Sequence, residues 1–164
     1  MPNPAQTTVE GSEFRFRMEL LDPATIPTDV ATLSSDLDVF LETWQVGGED
    51  ANALRIAVEE LLTNLGKFDG LAAIPGGVHV EGAVVVADAD VRLVLSDNGS
   101  PFDPTRHPAP NLDPETFLAR LPGGLGLHML RQLFGDIHYR RENHRNVAVW
   151  RRKRSAPPVL DRRG

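Results

Sequence analysis

The chain has no cysteine, which excludes disulfides and thiolate metal sites and leaves the redox compartment open. No apolar run approaches the roughly 20 residues that a membrane-crossing helix needs. The N-terminus lacks the basic start and apolar core of a secretory signal, so the expected location is cytoplasmic. Positive charge is short. Seventeen Lys and Arg stand against 23 Asp and Glu, a net charge of −6, which argues against broad, non-specific nucleic-acid binding. The local exception is Arg151, Arg152, Lys153 and Arg154, with Arg162 and Arg163 beyond, and its plainest reading is a solvated basic tail. The histidines, His79, His107, His128, His138 and His144, show neither H-x-x-H nor H-x-x-x-H spacing, so the sequence carries no zinc-site signature.

What is present fits one soluble domain: 164 residues, 24 % charged and 41 % hydrophobic, enough chain to bury a sizeable core. Residues 1–12 are polar and proline-bearing and read as a flexible lead-in. In EFRFRMEL, Phe14, Phe16, Met18 and Leu20 alternate with charged residues, the pattern of a half-buried strand. Thr28 or Asp29 can cap a helix reaching about Gln45, closed by Gly47-Gly48. A second helix is expected from about Glu49 to Phe68, with Leu54, Ala57, Val58, Leu61, Leu62, Leu65 and Phe68 on one face. Valine-rich runs at 78–87 and 91–96 predict a hairpin. Five of the thirteen prolines fall at 104, 108, 110, 114 and 122, so 105–122 reads as a long binding loop or lid. A helix from Gly124 to about Phe134 and a hairpin over 136–141 and 146–152 follow, and 155–164 is expected to be a flexible tail. This order predicts an α+β fold, a two-layer α/β sandwich with a mixed, mostly antiparallel sheet and helices on one face.

Three stations carry chemistry. Glu60 and Asn64 are i,i+4 neighbours, so their heads project side by side. Oxygen donors of this kind suit a magnesium ion that keeps several waters and takes its other ligands from phosphate. An amphipathic helix with a polar wet face explains the same pair. DNGSPFDP, residues 97–104, follows a strand directly. There a carboxylate such as Asp97 can accept a hydrogen bond from an exocyclic amino group. Gly99 lets the backbone approach a flat base, and Phe102 offers an apolar wall; a simple turn explains the stretch as well. Gly123, Gly124 and Gly126 stand where the lid meets a helix N-terminus, where free N–H groups and the helix dipole favour phosphate. Each station alone is weak; their joint order is far more specific.

EELLTN, DNGSPFDP and GGLGLHML resemble the N box, the adenine-binding box and the second glycine box of the GHKL (Bergerat-fold) ATPases, the superfamily of gyrases, histidine kinases and mismatch-repair MutL proteins. The likeness spans roughly Phe14 to Lys153. It is most similar to the free-standing anti-sigma-factor serine/threonine kinases, with their E-x-x-x-N and PFDP forms. The resemblance implies an ATP-binding kinase domain over 13–154. Asn64 would hold Mg²⁺ bridging the ATP phosphates, and Glu60 would be the general base toward a substrate hydroxyl. Asp97 would read adenine beside Gly99 and Phe102. The glycine box, Gly123, Gly124, Leu125 and Gly126, would pack on the phosphates as the lid closes. It also implies a serine or threonine of a STAS-domain anti-anti-sigma protein as substrate, a sigma factor or equivalent as second partner, and a homodimer.

The sequence departs from that pattern at two places. Phe68 stands where the family often has histidine, preceded by Lys67, which can reach phosphate or stand in solvent. Arg145-Asn146 occupies the neighbourhood of a Gly-Thr whose hydroxyl helps hold adenine, which leaves the contact of Asn146 open. Arg120, or Arg106, can swing from the lid to the γ-phosphate or remain a surface charge. Two other readings stand beside the kinase: a nucleotide-gated binding module without transfer, and a detached histidine kinase catalytic domain. Against the last, histidine kinases usually carry asparagine at the position of Glu60.

Overall fold

The computed structural model describes residues 5–68, 74–106 and 124–155. Strand β1 (Gln6–Glu10) turns at Gly11, whose φ is +57°, into β2 (Glu13–Leu20). Helices α1 (Ile26–Thr43) and α2 (Gly48–Phe68) follow. The hairpin β3 (Val78–Val86) and β4 (Asp90–Asp97) precedes helix α3 (Gly124–Leu133), and β5 (Asp136–Glu142) and β6 (Arg145–Lys153) complete the fold. The strands form one six-stranded sheet in the order β1-β2-β3-β4-β6-β5. All five pairings are antiparallel, so the described sheet contains no parallel pair. With the helices packed on it, this is the expected α+β architecture.

The sheet's inner face is legible row by row. Phe14, Val84, Leu93 and Trp150 stand opposite one another across β2, β3, β4 and β6, and all four are buried. The next row is Phe16, Gly82, Leu95, Ala148 and Tyr139. Gly82 is required there, because a Cβ would lie 2.1 Å from the Phe16 ring. Leu33, Leu37, Phe40 and Leu41 of α1 and Leu54, Ala57, Val58 and Leu62 of α2 complete one core, the stripe that helical spacing requires.

Three local expectations change. Residues 6–10 are not a loose lead-in. They pair with β2 along their whole length, and Thr7 donates to Asp36 of α1 at 3.0 Å. Helix α1 starts earlier than Thr28, with Thr25 at the N-cap and Pro27 in the first turn, where its fixed φ and missing N–H are tolerated. It ends at Thr43, and the residue that closes it is Gln45, not the glycines. Gln45 has φ +50°, its N–H bonds Glu42 O, and the Val46 N–H bonds Leu41 O, both at 3.0 Å, the Schellman closure.

The basic stretch is also not a solvated tail throughout. Arg152 Nε donates to Asp50 Oδ1 at 2.8 Å and its Nη1 to Leu133 O at 2.9 Å, joining β6 to the start of α2 and the end of α3. Ser155 donates its N–H to Asp50 Oδ2 at 3.0 Å. Buried Asp90 is held by Arg92 at 2.8 Å and Arg151 at 2.7 Å. Hydrogen bonds from Arg92 and then Arg151 keep its carboxyl below the ordinary aspartate range against the opposing effect of burial. A carboxyl held low contributes stability that is present above the unfolded value and is lost as the pH falls through the folded one. Asp90→Asn should therefore be less stable than wild type at neutral pH, and the gap should begin to close below about pH 4. Urea unfolding at a series of pH values measures it; a gap that does not change with pH rejects the assignment.

Candidate nucleotide-binding site

At the end of β4 the sheet's cross-strand row turns from apolar to polar. Met18, Val80, Asp97, Asn146 and Arg141 follow one another across β2, β3, β4, β6 and β5. Asp97 is only 5 % exposed. Its Oδ1 accepts the Gly99 N–H and an Asn146 Nδ2 hydrogen, both at 2.9 Å. The first of these is an Asx turn, in which the aspartate folds the chain that follows it. Asn146 Oδ1 accepts the Phe102 N–H at 3.2 Å, the Tyr139 hydroxyl at 2.8 Å and Arg141 Nη1 at 2.9 Å. The other Nδ2 hydrogen goes to Ser100 O at 2.8 Å. Arg141 Nη1 also reaches Gly99 O at 3.1 Å, and Arg131 of α3 donates its Nε to Pro104 O at 2.9 Å. The loop after β4 is thus fastened to the β5–β6 hairpin and to α3.

Beneath that loop lies a cavity of about 270 Å³, near the lower end of the range for small-molecule sites. Leu61, Leu65, Leu95, Leu127 and Trp150 make its apolar walls, and Phe102 and Pro104 line it from the loop. Phe102 is 42 % exposed. Its polar lining is Asn64, Asp97, Tyr139 and Asn146. A mostly apolar cavity with a few polar groups is the form that can hold a heterocyclic base.

Helix α2 brings the first station to the same place. Asn64 lines the cavity, and its Oδ1 is buried with no hydrogen-bond partner among the described residues. A buried carbonyl oxygen left unpaired is costly, and a neutral oxygen donor is what a hard divalent cation accepts. One turn earlier, Glu60 is half-buried whereas Glu59 is exposed, so helix phase turns Glu60 inward. Its carboxylate lies against the first turn of α3, where a Cβ added to Gly126 would come 2.1 Å from Oε2. The glycine makes room for the carboxylate.

A larger groove, about 510 Å³, opens on the sheet's other face between Gln6, Glu13, Arg15, Arg17 and Glu81. It contains none of the three stations, and its charges pair with each other, Arg15 with Glu13 and Arg17 with Glu81.

A family model described as histidine kinase-like ATPase domain matches residues 24–151. The chain belongs to that family. No curated protein matches it. Membership makes this an ATP-binding domain of GHKL type, with ATP-dependent phosphotransfer as its general chemistry. Within this ATPase domain the cavity joins Asn64, Asp97, Phe102 and Asn146, and Glu60 meets Gly126 beside it. Gly99 is buried in the loop above. Gly124 begins α3. Arg120, Gly123, the side chains of Lys67 and Leu125, and lid residues 107–122 lie outside the described residues. Arg106 is exposed and pairs with Asp103 at 3.5 Å. No helix among the described residues is long and apolar enough to cross a membrane.

Sequence reasoning missed Arg131, Tyr139, Arg141 and Trp150. Arg131 and Arg141 donate to Pro104 O and Gly99 O of the loop after β4, and Tyr139 acts on it through Asn146; for Tyr139 and Arg141 the only sequence signal is strand register. Asn143 and His144, with φ +49° and +60°, make the two-residue turn that sets Arg141 opposite Asn146.

Proposed function

We propose that this ATPase domain is a serine/threonine protein kinase of anti-sigma type, phosphorylating a hydroxyl on a STAS-domain anti-anti-sigma partner. Its second partner is a sigma factor or an equivalent regulator, and it works as a cytoplasmic homodimer. The observation that carries the reading is the inward Glu60 carboxylate at the glycine box, one helical turn from Asn64 and beside the base cavity. A carboxylate there can act as a base, whereas the asparagine expected of a histidine kinase cannot.

In this reading Asp97 accepts the adenine amino group and Phe102 covers the ring. Asn64 Oδ1 is the protein's ligand for Mg²⁺, which neutralises phosphate charge when bound. The free N–H groups at the start of α3 face the phosphates, with Gly123, Gly124, Leu125 and Gly126 forming that cradle and Lys67 and Arg120 adding charge from the helix end and the lid. Glu60 takes the proton from the substrate serine or threonine as its oxygen bonds the γ-phosphorus. The bond from that phosphorus to the bridging oxygen breaks, and ADP leaves with the electron pair. Such transfer depends on positioning and electrostatics more than on covalent participation by the protein.

The test is incubation with γ-labelled ATP, Mg²⁺ and purified STAS-domain proteins, followed by phosphoamino-acid analysis. Acid-stable phosphoserine or phosphothreonine is expected. Acid-labile phosphohistidine on a partner would replace this reading with a histidine kinase, and ATP-dependent partner binding without transfer would replace it with a nucleotide-gated switch.

Gly126→Ala tests the carboxylate's seat. The clash falls on the end of a flexible side chain, so the fold should hold, with Tm lowered by no more than about 4 °C. Glu60 must move aside, and transfer should fall by tens-fold, up to about 10²-fold, as for a misplaced catalytic group. Unchanged transfer would show that the seat does not matter.

A further inference from the structure

The carboxamide of Asn146 has no hydrogen-bonding capacity left. Both Nδ2 hydrogens are given, to Asp97 Oδ1 and Ser100 O, and Oδ1 accepts three donors, from Phe102, Tyr139 and Arg141. Its orientation is dictated by those neighbours. Turned over, it would set its oxygen against a carboxylate and a carbonyl, and its amide hydrogens against a backbone N–H and a guanidinium. Asn146 is 4 % exposed and Asp97 5 %, so the pair is settled inside the protein where an unmatched polar group is expensive. A side chain in this state lines the cavity without having a donor to offer a bound base.

Its bonds do other work. They fix one oxygen of Asp97, and they tie Ser100 and Phe102 of the covering loop to β6. Arg141 adds Gly99 O from the neighbouring strand at 3.1 Å, and its Nη2 holds the turn through His144 O at 3.1 Å. The carboxylate and the wall of the slot are therefore set by one node before any ligand arrives, which lowers the ordering cost of binding.

We infer that Asn146, braced by Tyr139 and Arg141, is the positioning residue that makes the slot selective for a 6-aminopurine, acting through Asp97 and the 99–102 loop and not by touching the base. The inference rests on the reading above in which Asp97 accepts the purine amino group. It assigns the position to indirect base selection, in place of the direct contact that a threonine hydroxyl would make. Selectivity of this kind is strong because a buried acceptor rejects a base that cannot donate to it.

The test is titration calorimetry of the full chain with ATP and with ITP, both with Mg²⁺. ITP carries a 6-oxo group where ATP has the amino group. Wild type should prefer ATP by about 100-fold or more. Asn146→Ala should bring that preference below about tenfold, chiefly through weaker ATP binding. Asn146→Thr, which returns one donor toward Asp97, should recover part of it. Because Asn146 is buried, Arg141→Ala provides an exposed second variant, for which the preference should fall by about threefold to tenfold. A parallel loss of ATP and ITP affinity in Asn146→Ala and Arg141→Ala, with the ratio kept, would reduce the node to scaffolding and overturn the inference. A wild type that binds both nucleotides equally, or neither, would instead reject the base-site reading, and the inference would fall with it.

Discussion

Glu60→Ala is expected to lower phosphoryl transfer by about 10² to 10⁴-fold, the usual worth of a positioned general base, while ATP affinity stays within about twofold. The split follows from where the carboxylate sits. Glu60 rests on Gly126 at the start of α3, on the side where phosphates would lie, and it is not among the residues lining the base cavity. Removing it leaves the slot, the Asp97 node and Asn64 in place. Glu60→Gln keeps the length and loses only the basicity, so it should be nearly as inactive as alanine. The exposed Glu59 is the control, and Glu59→Ala should transfer at the wild-type rate. A single-turnover assay with saturating ATP separates binding from transfer. If the glutamine variant transferred normally, Glu60 would be a packing residue and the base would have to be sought elsewhere.

The parts of the fold that were legible are those whose cause is local. The alternation in EFRFRMEL, the apolar stripe of α2 and the valine-rich hairpin each state their own period, and each formed as expected. Strand β1 did not announce itself. Gln-Thr-Thr has no apolar alternation, and the segment is a strand because β2 offers it a partner. The end of α1 was placed within two residues, but its closing residue was misassigned because Gly47-Gly48 is the conspicuous breaker, whereas the chain turns at Gln45 in a left-handed conformation. Arg151 and Arg152 belonged to a basic run, and only the fold shows them facing Asp90 and Asp50.

The site divides in the same way. The spacing of Glu60 and Asn64 along one helix was enough to place them on neighbouring turns, and the strand-to-loop junction was enough to bury Asp97. The role of Asn146 was not accessible, because it depends on the register of β6 against both β4 and β5. One residue of slip would turn its carboxamide to the other face of the sheet. Three of its donors come from segments 5 to 44 residues away, and no spacing rule joins them.

Asp97→Asn should cost about 100-fold or more in ATP affinity, about 2.7 kcal/mol, within the range for a hydrogen bond to a charged group. The substitution keeps the shape of the side chain and alters what it can accept. In the wild type, Oδ1 takes two hydrogens, from Gly99 and Asn146, and a carboxylate has two oxygens, both of which accept. An asparagine has one oxygen for all of them. If that oxygen stays with Gly99 and Asn146, an N–H₂ group is presented to the base, and the adenine amino group meets a donor. If it turns outward, two hydrogens collide with the donors of the node. Either arrangement loses the base contact, so no rotamer rescues it. The measurement is calorimetric titration of ATP and ADP with and without Mg²⁺ into both proteins, with a thermal melt to show that the variant is folded. The loss should be similar for ATP and ADP, because the base is common to both. Magnesium should strengthen binding by the same factor in variant and wild type, because Asn64 lies outside the exchanged contact. A variant that kept its affinity would remove Asp97 from the base and reduce it to the anchor of its own turn.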